Sequence, residues 1–363
     1  MRSFSPSGFR MSSREKTPRP LSLIMAGTNH NYSPVEFRER IYFSKKSSRT
    51  SLDFLKERGV LKGAVILSTC NRVEIYAGSD DEEKAIEEIK NFISRYHEID
   101  ISKLSPYFYI YKSKDAARHL FSVACGLDSL LLGETQILEQ VKASFLESKN
   151  AAFIDESLNG IFDSAISFAD SANKDNKIFS DDISIGSIVV SFLKERLGSI
   201  RSKNILIIGT GKVIELVVRH LGKERPEVVL IANRTFEKAK ALASQIRAMA
   251  VRFNELRTFI AKADIIITAT RSPHFIIRKE MLEGVAANKI LILDLALPRD
   301  VDPEVKNING VELFYLEDLK GVIKENTAGR ACEIEKLKIL IEIEAEKSWK
   351  ELTELEPEPA LLP

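Results

Sequence analysis

The chain has 363 residues, 44% hydrophobic and 29% charged, with a formal net charge of +1; that allows two or three domains with sizeable cores and is ordinary for a soluble globular protein. The near-zero charge argues against a globally basic or acidic chain but leaves room for a local patch that binds nucleic acid. No apolar run reaches the ~18 residues of a membrane helix, and Cys70, Cys125 and Cys332 are too scattered for a disulfide framework or a zinc site, which suits a reducing, cytoplasmic compartment.

Residues 1–20, MRSFSPSGFRMSSREKTPRP, hold five basic residues against one acid and lack an apolar core. They read as a disordered extension, with organelle targeting as the alternative, and not as a secretory signal. From there the pattern predicts a strand over 21–27 and a helix over 34–43 opened by Ser33 and Pro34. A helix over 51–58, strands over 64–68 and 73–77, a helix over 83–97, a strand over 107–111 and a helix over 115–124 follow. Paired strands mixed with helices indicate a small N-terminal α+β domain over 21–155. Residues 156–199 read as a helical connector.

NILIIGTGKVIELVVRHL opens a second domain, 200–313. Four consecutive apolar residues run up to Gly209, and continuous apolar strands alternate with helices from there on. That pattern means an α/β, Rossmann-like domain with a parallel sheet covered on both faces. The tail, 314–363, reads mostly as one long helix. Ile334, Leu337, Ile341, Ala345, Trp349 and Leu352 make an apolar stripe that needs a partner, either within the chain or on a second subunit.

Gly209, Thr210 and Gly211, followed by Lys212, Val213 and Ile214, stand where a strand turns into a helix, the context in which helix-terminal N–H groups meet a pyrophosphate. The third glycine of the usual fingerprint is replaced by Ile214. The next strand ends on Asn233, Arg234 and Thr235, where an NAD enzyme usually carries an acid for the ribose hydroxyls. An arginine with short polar neighbours suits a 2′-phosphate, so NADP is favoured.

A free cysteine is more often a small buried hydrophobe than a nucleophile. Cys125 fits that reading, and Cys332 fits a surface or interface. Cys70 differs: in VILSTCNRVEIYAG it lies in a polar turn between two strand-like runs, beside Asn71 and Arg72. Attack by its thiolate on an acyl group would give a thioester, which can accept hydride to leave an aldehyde. His119 is a candidate for moving protons at the reacting centre. Ser129, Glu134, Gln136 and Gln140 put hydrogen-bonding groups into an apolar helical run, where they need partners in the core or in a ligand.

STCNRVEIY, GLDSLLLGETQILEQVK, GTGKVIELVVRHL, ANRT and LPRDVDPEV, in that order, resemble the glutamyl-tRNA reductases, and TNHNYSPVEFRERIYF resembles that family's opening strand and helix. The likeness covers about residues 21 to 350. It implies reduction of glutamyl-tRNA with NADPH to glutamate-1-semialdehyde, the entry to tetrapyrrole synthesis, with no metal. Cys70 then matches the nucleophile, and His119 a histidine important for activity. Thr69, Asn71, Arg72, Ser129, Glu134, Thr135, Gln136 and Gln140 match substrate-recognition positions. Residues Gly209 to Ile214 match the NADP loop. Arg72 has two candidate roles, thiolate neighbour and bidentate clamp for the glutamate carboxylate, and the clamp is favoured. A downstream glutamate-1-semialdehyde aminotransferase is a possible partner.

Two stretches depart from the family pattern. Asp170, Ser171 and Asn173 stand where the connector usually carries basic residues. The dimerisation region that follows the long helix in the family looks shortened, which leaves a homodimer as one of two expectations. The alternative functions are a non-catalytic paralogue that binds NADPH or tRNA, and an NADP-dependent semialdehyde dehydrogenase acting on a free metabolite.

Overall fold

The computed structural model describes residues 22–130, 136–175, 184–246, 248–283, 289–327 and 331–353. The expected N-terminal extension, Glu134 and Thr135 lie outside these residues.

Strands β1 (Ser22–Asn29), β2 (Gly63–Ser68), β3 (Arg72–Ser79) and β4 (Tyr109–Lys112) form an antiparallel sheet in the order β2-β3-β1-β4. Side chains alternate between its faces. Ile24, Ile66, Val73 and Ile75 pack on one side against Leu52, Ile89 and Phe92, while Leu23, Met25, Val65 and Tyr76 pack on the other against Leu120, Phe121 and Phe162. Burial on both faces explains why these strands read as nearly continuous apolar runs. The same alternation sets Arg72, Glu74 and Tyr76 together on the second face.

Two helix starts differ from the sequence reading. Pro34, not Ser33, is the N-cap of helix Val35–Arg40, and the Ser33 hydroxyl instead donates to the Asn29 carbonyl. Helix Lys45–Arg58 begins six residues early because Ser44 caps it, accepting from Ser47 N at 3.2 Å. Its polar, Ser-rich first half hid that start.

Strands β5 (Asn204–Ile208), β6 (Val228–Asn233), β7 (Met249–Arg252), β8 (Ile265–Thr268), β9 (Ile290–Asp294) and β10 (Val311–Tyr315) form a wholly parallel sheet. Its order is β10-β9-β8-β5-β6-β7. This is the doubly wound dinucleotide-binding order, whose switch point falls between β5 and β8.

Helices Glu156–Asp175 and Ile185–Leu197 occupy the connector. Asp170 accepts from Lys142 at 2.8 Å, so an acid at this departure from the family pattern is locally paired. In the tail, Lys320–Thr327 and Ala331–Thr353 are helical. The stripe on the second folds back onto the chain's own N-terminal domain: Leu337, Ile341 and Ala345 are buried with Leu120, Phe121 and Phe162, and Ile334, Trp349 and Leu352 pack beside them. Of the two partners expected for the stripe, the intrachain one holds it.

Candidate active site

Cys70 sits at the tip of the β2–β3 turn. The turn is fixed by Thr69: its N–H donates to the Arg72 carbonyl at 2.8 Å, and its Oγ1 accepts from the N–H groups of Asn71 and Arg72 at 3.1 and 3.2 Å. The Cys70 residue is half-buried and lies on the wall of two clefts. The larger, about 600 Å³, is lined from the N-terminal domain by Thr69, Cys70, Asn71, Arg72, Ser129, Gln136 and Gln140. Its other wall is Ile185, Val213, Leu295 and Leu316. The smaller, about 270 Å³, places Cys70 and Asn71 opposite Asp294 to Leu297, Arg299, Tyr315 and Glu317. Both clefts run between the thiol turn and the dinucleotide domain. Cys125, by contrast, is buried, and that burial pushes its thiol up to about 12.

Arg72 is 1% exposed, so its charge must be paired where it lies. Nη1 donates to Glu74 at 2.6 Å and to Asp128 at 2.9 Å, and Nη2 to the Asp128 carbonyl. The terminal nitrogens that would form a carboxylate fork are therefore already engaged. Arg72 Nε, a donor, and Asn71 Oδ1, an acceptor, are buried with no partner among the described residues, and both side chains line the larger cleft. Unpaired buried polar atoms at a cleft wall are what a polar ligand would satisfy.

His119 is 9% exposed and does not line either cleft. Its Nε2 lies 3.0 Å from Glu74 Oε1, and its ring packs on Tyr111. His119 thus reaches Arg72 through Glu74. Burial alone would raise the Glu74 carboxyl, but Arg72, His119 and Tyr109 hold it well below the usual range. The Tyr76 and Tyr109 hydroxyls, both donating to Glu74, are raised by burial and stay protonated. Asn29 Nδ2 completes the set on Asp128 at 3.0 Å. Ligand atoms of Glu74, His119 and Asp128 lie within 4.8 Å of one another, as a metal would need. The Arg72 guanidinium already donates to both carboxylates and supplies the cation there.

Glu74 and Asp128 were missed in the sequence. Glu74 did carry a signal: a carboxylate inside the apolar run VEIY, two residues from Arg72 and so on its face. Asp128 carried only its place in the GLDSLLLGETQILEQVK run.

The dinucleotide loop follows β5. Gly209 has φ +118°, and a Cβ there would stand 2.5 Å from the Ala269 carbonyl oxygen, so only glycine lets β5 turn beside the end of β8. Gly211 is the N-cap of helix Lys212–Glu224 with no side chain capping it, and nothing lies within 4 Å of where its Cβ would be. An uncapped helix N-terminus with open space above it, at the switch point of a parallel sheet, fits a pyrophosphate. Lys212 and Val213 open that helix, and Ile214, in place of the third glycine, is buried in the core. At the end of β6, Asn233 Nδ2 ties to the Thr235 carbonyl at 3.1 Å, and exposed Arg234 donates to Ser272 Oγ at 2.9 Å. A guanidinium at the second strand's end suits a 2′-phosphate.

Asp294 closes β9 and accepts from Thr268 Oγ1 and the N–H groups of Ala296, Asp300 and Val301 at 2.9 to 3.0 Å. It ties the LALPRD segment to the strand ends, and that segment walls both clefts opposite Cys70.

Residues 26–176 match the family model of the glutamyl-tRNA(Glu) reductase N-terminal domain, and residues 191–322 match that of shikimate/quinate 5-dehydrogenase. The glutamyl-tRNA reductase of Pelotomaculum thermopropionicum is 39% identical over 332 residues, 90% of this chain and 75% of that protein. That of Thermodesulfovibrio yellowstonii is 36% identical over 356 residues, 94% and 82% of the two chains. Among solved structures, glutamyl-tRNA reductase from Methanopyrus kandleri superposes with a TM-score of 0.52 at 35% identity, covering 92% of this chain and 81% of that one. With identity of that order over nine-tenths or more of its length, the chain belongs to the glutamyl-tRNA reductase family.

Proposed function

We propose that Cys70 captures glutamate from glutamyl-tRNA as a thioester and that this chain reduces it to glutamate-1-semialdehyde, the first step of tetrapyrrole synthesis. The observation that carries this reading is the placement of Cys70: on a hydrogen-bonded turn, half-buried, lining a cleft whose far wall includes Val213 of the dinucleotide loop. The Cys70 sulfur attacks the glutamyl ester carbon, the ester C–O bond breaks, and the tRNA leaves with its hydroxyl. NADPH, when bound, would supply a hydride to the thioester carbon; the C–S bond then breaks, leaving the aldehyde and the Cys70 thiolate.

The chain's own residues divide the remaining work. Arg72 Nε would donate to the substrate carboxylate, and Asn71 Oδ1 would accept from its ammonium. Glu74 and Asp128 lock the guanidinium in place, and His119 orients Glu74. Thr69 holds the thiol turn. Ser129, Gln136 and Gln140 are assigned to the glutamyl side chain, with Glu134 and Thr135 as further recognition positions. Gly209 to Ile214 would cradle the pyrophosphate, and Asn233, Arg234 and Thr235 would receive the adenosine ribose and its 2′-phosphate. Residues 21–155 thus carry the acyl chemistry and 200–313 the dinucleotide.

No helix among the described residues is long and apolar enough to cross a membrane. We place the reaction in the cytoplasm, where thiols stay reduced. The product is a reactive amino aldehyde, which favours hand-over to an aminotransferase. A second copy of the chain would dock elsewhere than on the long helix's buried stripe.

The test is turnover with glutamyl-tRNA and NADPH, with free glutamate as control. The parent chain should yield semialdehyde only from the tRNA ester, and without NADPH it should accumulate an adduct on Cys70 seen by intact mass. Cys70→Ser should abolish both signals. Normal turnover in that variant would refute the thioester route.

A further inference from the structure

Two arginines join the thiol domain to the dinucleotide domain in opposite directions. Arg38, on helix Val35–Arg40, is 1% exposed. Within its own domain it donates Nη1 to the Ser33 carbonyl at 2.5 Å and Nε to the Cys70 carbonyl at 3.4 Å. Its Nη2 crosses to the Glu317 carboxylate, in the turn after β10, whose Leu316 and Leu319 pack in the core of the dinucleotide sheet. Arg299, in the loop after β9, returns the contact: Nε and Nη2 fork onto Glu39 at 3.0 and 2.6 Å. Its backbone N–H adds a third bond to Glu39 at 2.8 Å, and Nη1 reaches Glu36 at 3.1 Å. Glu36, Arg38 and Glu39 belong to one six-residue helix, so a single short element carries both halves of the contact.

We propose that this crossed set of ion pairs is a clasp that seats the dinucleotide domain over Cys70, with Arg38 and Arg299 as positioning residues that decide whether the thioester meets hydride or water. The inference rests on the functional reading above. Three observations support it. Arg299 and Glu317 line the same cleft as Cys70. Arg38 holds both the carbonyl of Cys70 and the far domain, so the thiol turn and the domain contact share one side chain. The Arg299–Glu39 pair is bidentate and mostly shielded, at 9% and 17% exposed, which makes it directional rather than a solvated surface pair.

The two fates of the acyl group differ in what they demand. In reduction, hydride adds to the thioester carbon, the C–S bond breaks, sulfur leaves as the Cys70 thiolate and takes a proton, and the aldehyde and oxidised dinucleotide remain. In hydrolysis, water oxygen adds to the same carbon, the same bond breaks, and free glutamate and the thiol remain. Reduction needs reacting atoms held about 3 to 3.5 Å apart by two different domains. Water needs no second domain. Loosening the clasp therefore takes from reduction and leaves acylation and hydrolysis.

The experiment uses the full chain, glutamyl-tRNA with labelled glutamate, and saturating NADPH, and reads the ratio of semialdehyde to free glutamate. Intact mass without NADPH gives the rate of thioester formation, and small-angle scattering gives the compactness. Arg299→Ala should form the adduct at the parent rate, lower the ratio about tenfold or more, and increase the radius of gyration. Because the defect is in placement, more NADPH should not restore the ratio. Arg299→Lys should recover part of it, and Glu39→Gln and Glu317→Gln, which keep their side-chain shape, guard against a folding defect in the alanine variant. A parent-like ratio in these folded variants would overturn the clasp. Should the parent chain form no adduct, the functional reading falls; scattering then judges the clasp alone, with expansion of the variants supporting it and an unchanged radius refuting it.

Discussion

The two sheets handle polar groups in opposite ways. In the parallel sheet, strands β5, β6, β8 and β9 are apolar along their lengths, and the chemistry stands at their carboxyl ends: Gly209, Asn233, Thr268 and Asp294. In the antiparallel sheet, Arg72 and Glu74 lie within β3 itself, at 1% and 0% exposed, on a face otherwise packed with apolar side chains. Parallel strands have both faces covered by crossover helices, so a ligand can reach only the strand ends. The antiparallel sheet can admit a buried polar cluster on one face, provided every charge finds a partner there. The thiol turn then extends that cluster to the cleft.

The largest test of this contrast is Glu74→Ala. It leaves the Arg72 guanidinium with one carboxylate and removes the anchor of His119, Tyr76 and Tyr109. Breaking one side of a buried pair costs about 3 to 5 kcal/mol, and denaturant unfolding should show a loss of that order with reduction abolished. A loss below about 1 kcal/mol, the range of an exposed pair, would mean that water reaches Arg72 and that the cluster is not a closed network. At the parallel sheet, Gly209→Ala should be smaller in stability and selective in function. An alanine at φ +118° is strained by about 1 to 3 kcal/mol and meets the Ala269 carbonyl. Dinucleotide binding, followed by NADPH fluorescence, should fail while adduct formation on Cys70 persists. Loss of both together would show that the two sheets are not functionally separable.

Arg234→Ala should be milder again. A hydrogen bond to a charged group contributes about 1.5 to 3 kcal/mol, so binding should weaken roughly tenfold or more for NADPH and hardly for NADH. If the preference between them survives, the 2′-phosphate sits on other groups, and the end of β6 is not the selectivity site.

The same contrast explains what the sequence disclosed. The Cys70 turn and the Gly209 loop are local features: a run of strand-forming residues, a polar break and the next run, all within about ten positions. They were legible without knowledge of the fold. The partners of Arg72 and Asn29 were not, because Asp128 lies 56 and 99 positions away, and His119 is 45 positions from Glu74. Chain separation carries no hint that a helix, Ser113–Ala124, and the turn after it will set His119 and Asp128 on one sheet face. The long helix's stripe showed that Leu337, Ile341 and Ala345 would be covered, but periodicity names a buried face and never the surface that covers it. Arg38 and Arg299 read as ordinary charges for the same reason, since their partners belong to the other domain.

Protonation gives the smallest and most diagnostic contrast, because the two domains respond to acid with opposite sign. In the thiol domain, burial lowers His30 and His97 to about 4, with Arg72 adding to the effect at His30. Between about 6.5 and 4 the unfolded chain binds more protons at these sites than the folded one, so the two histidines take stability from this domain as pH falls through that window, with Asp155, raised by burial, offsetting part of the loss. In the dinucleotide domain, burial raises Asp294 to about 7, and Asp300 upward as well. Here the folded state holds the extra proton between about 7 and the usual carboxylate range, so acid adds stability. Trp349 is the sole tryptophan and packs on the thiol domain, so its fluorescence reports that half. On moving from pH 7 to pH 5, the Trp349 melting transition should shift down relative to the transition seen by far-ultraviolet circular dichroism, which averages both sheets. His97→Gln should shrink the gap from one side and Asp294→Asn from the other. Transitions that move together at both pH values would mean that the domains unfold as a single unit, with the clasp between them stronger than the difference in their responses to acid.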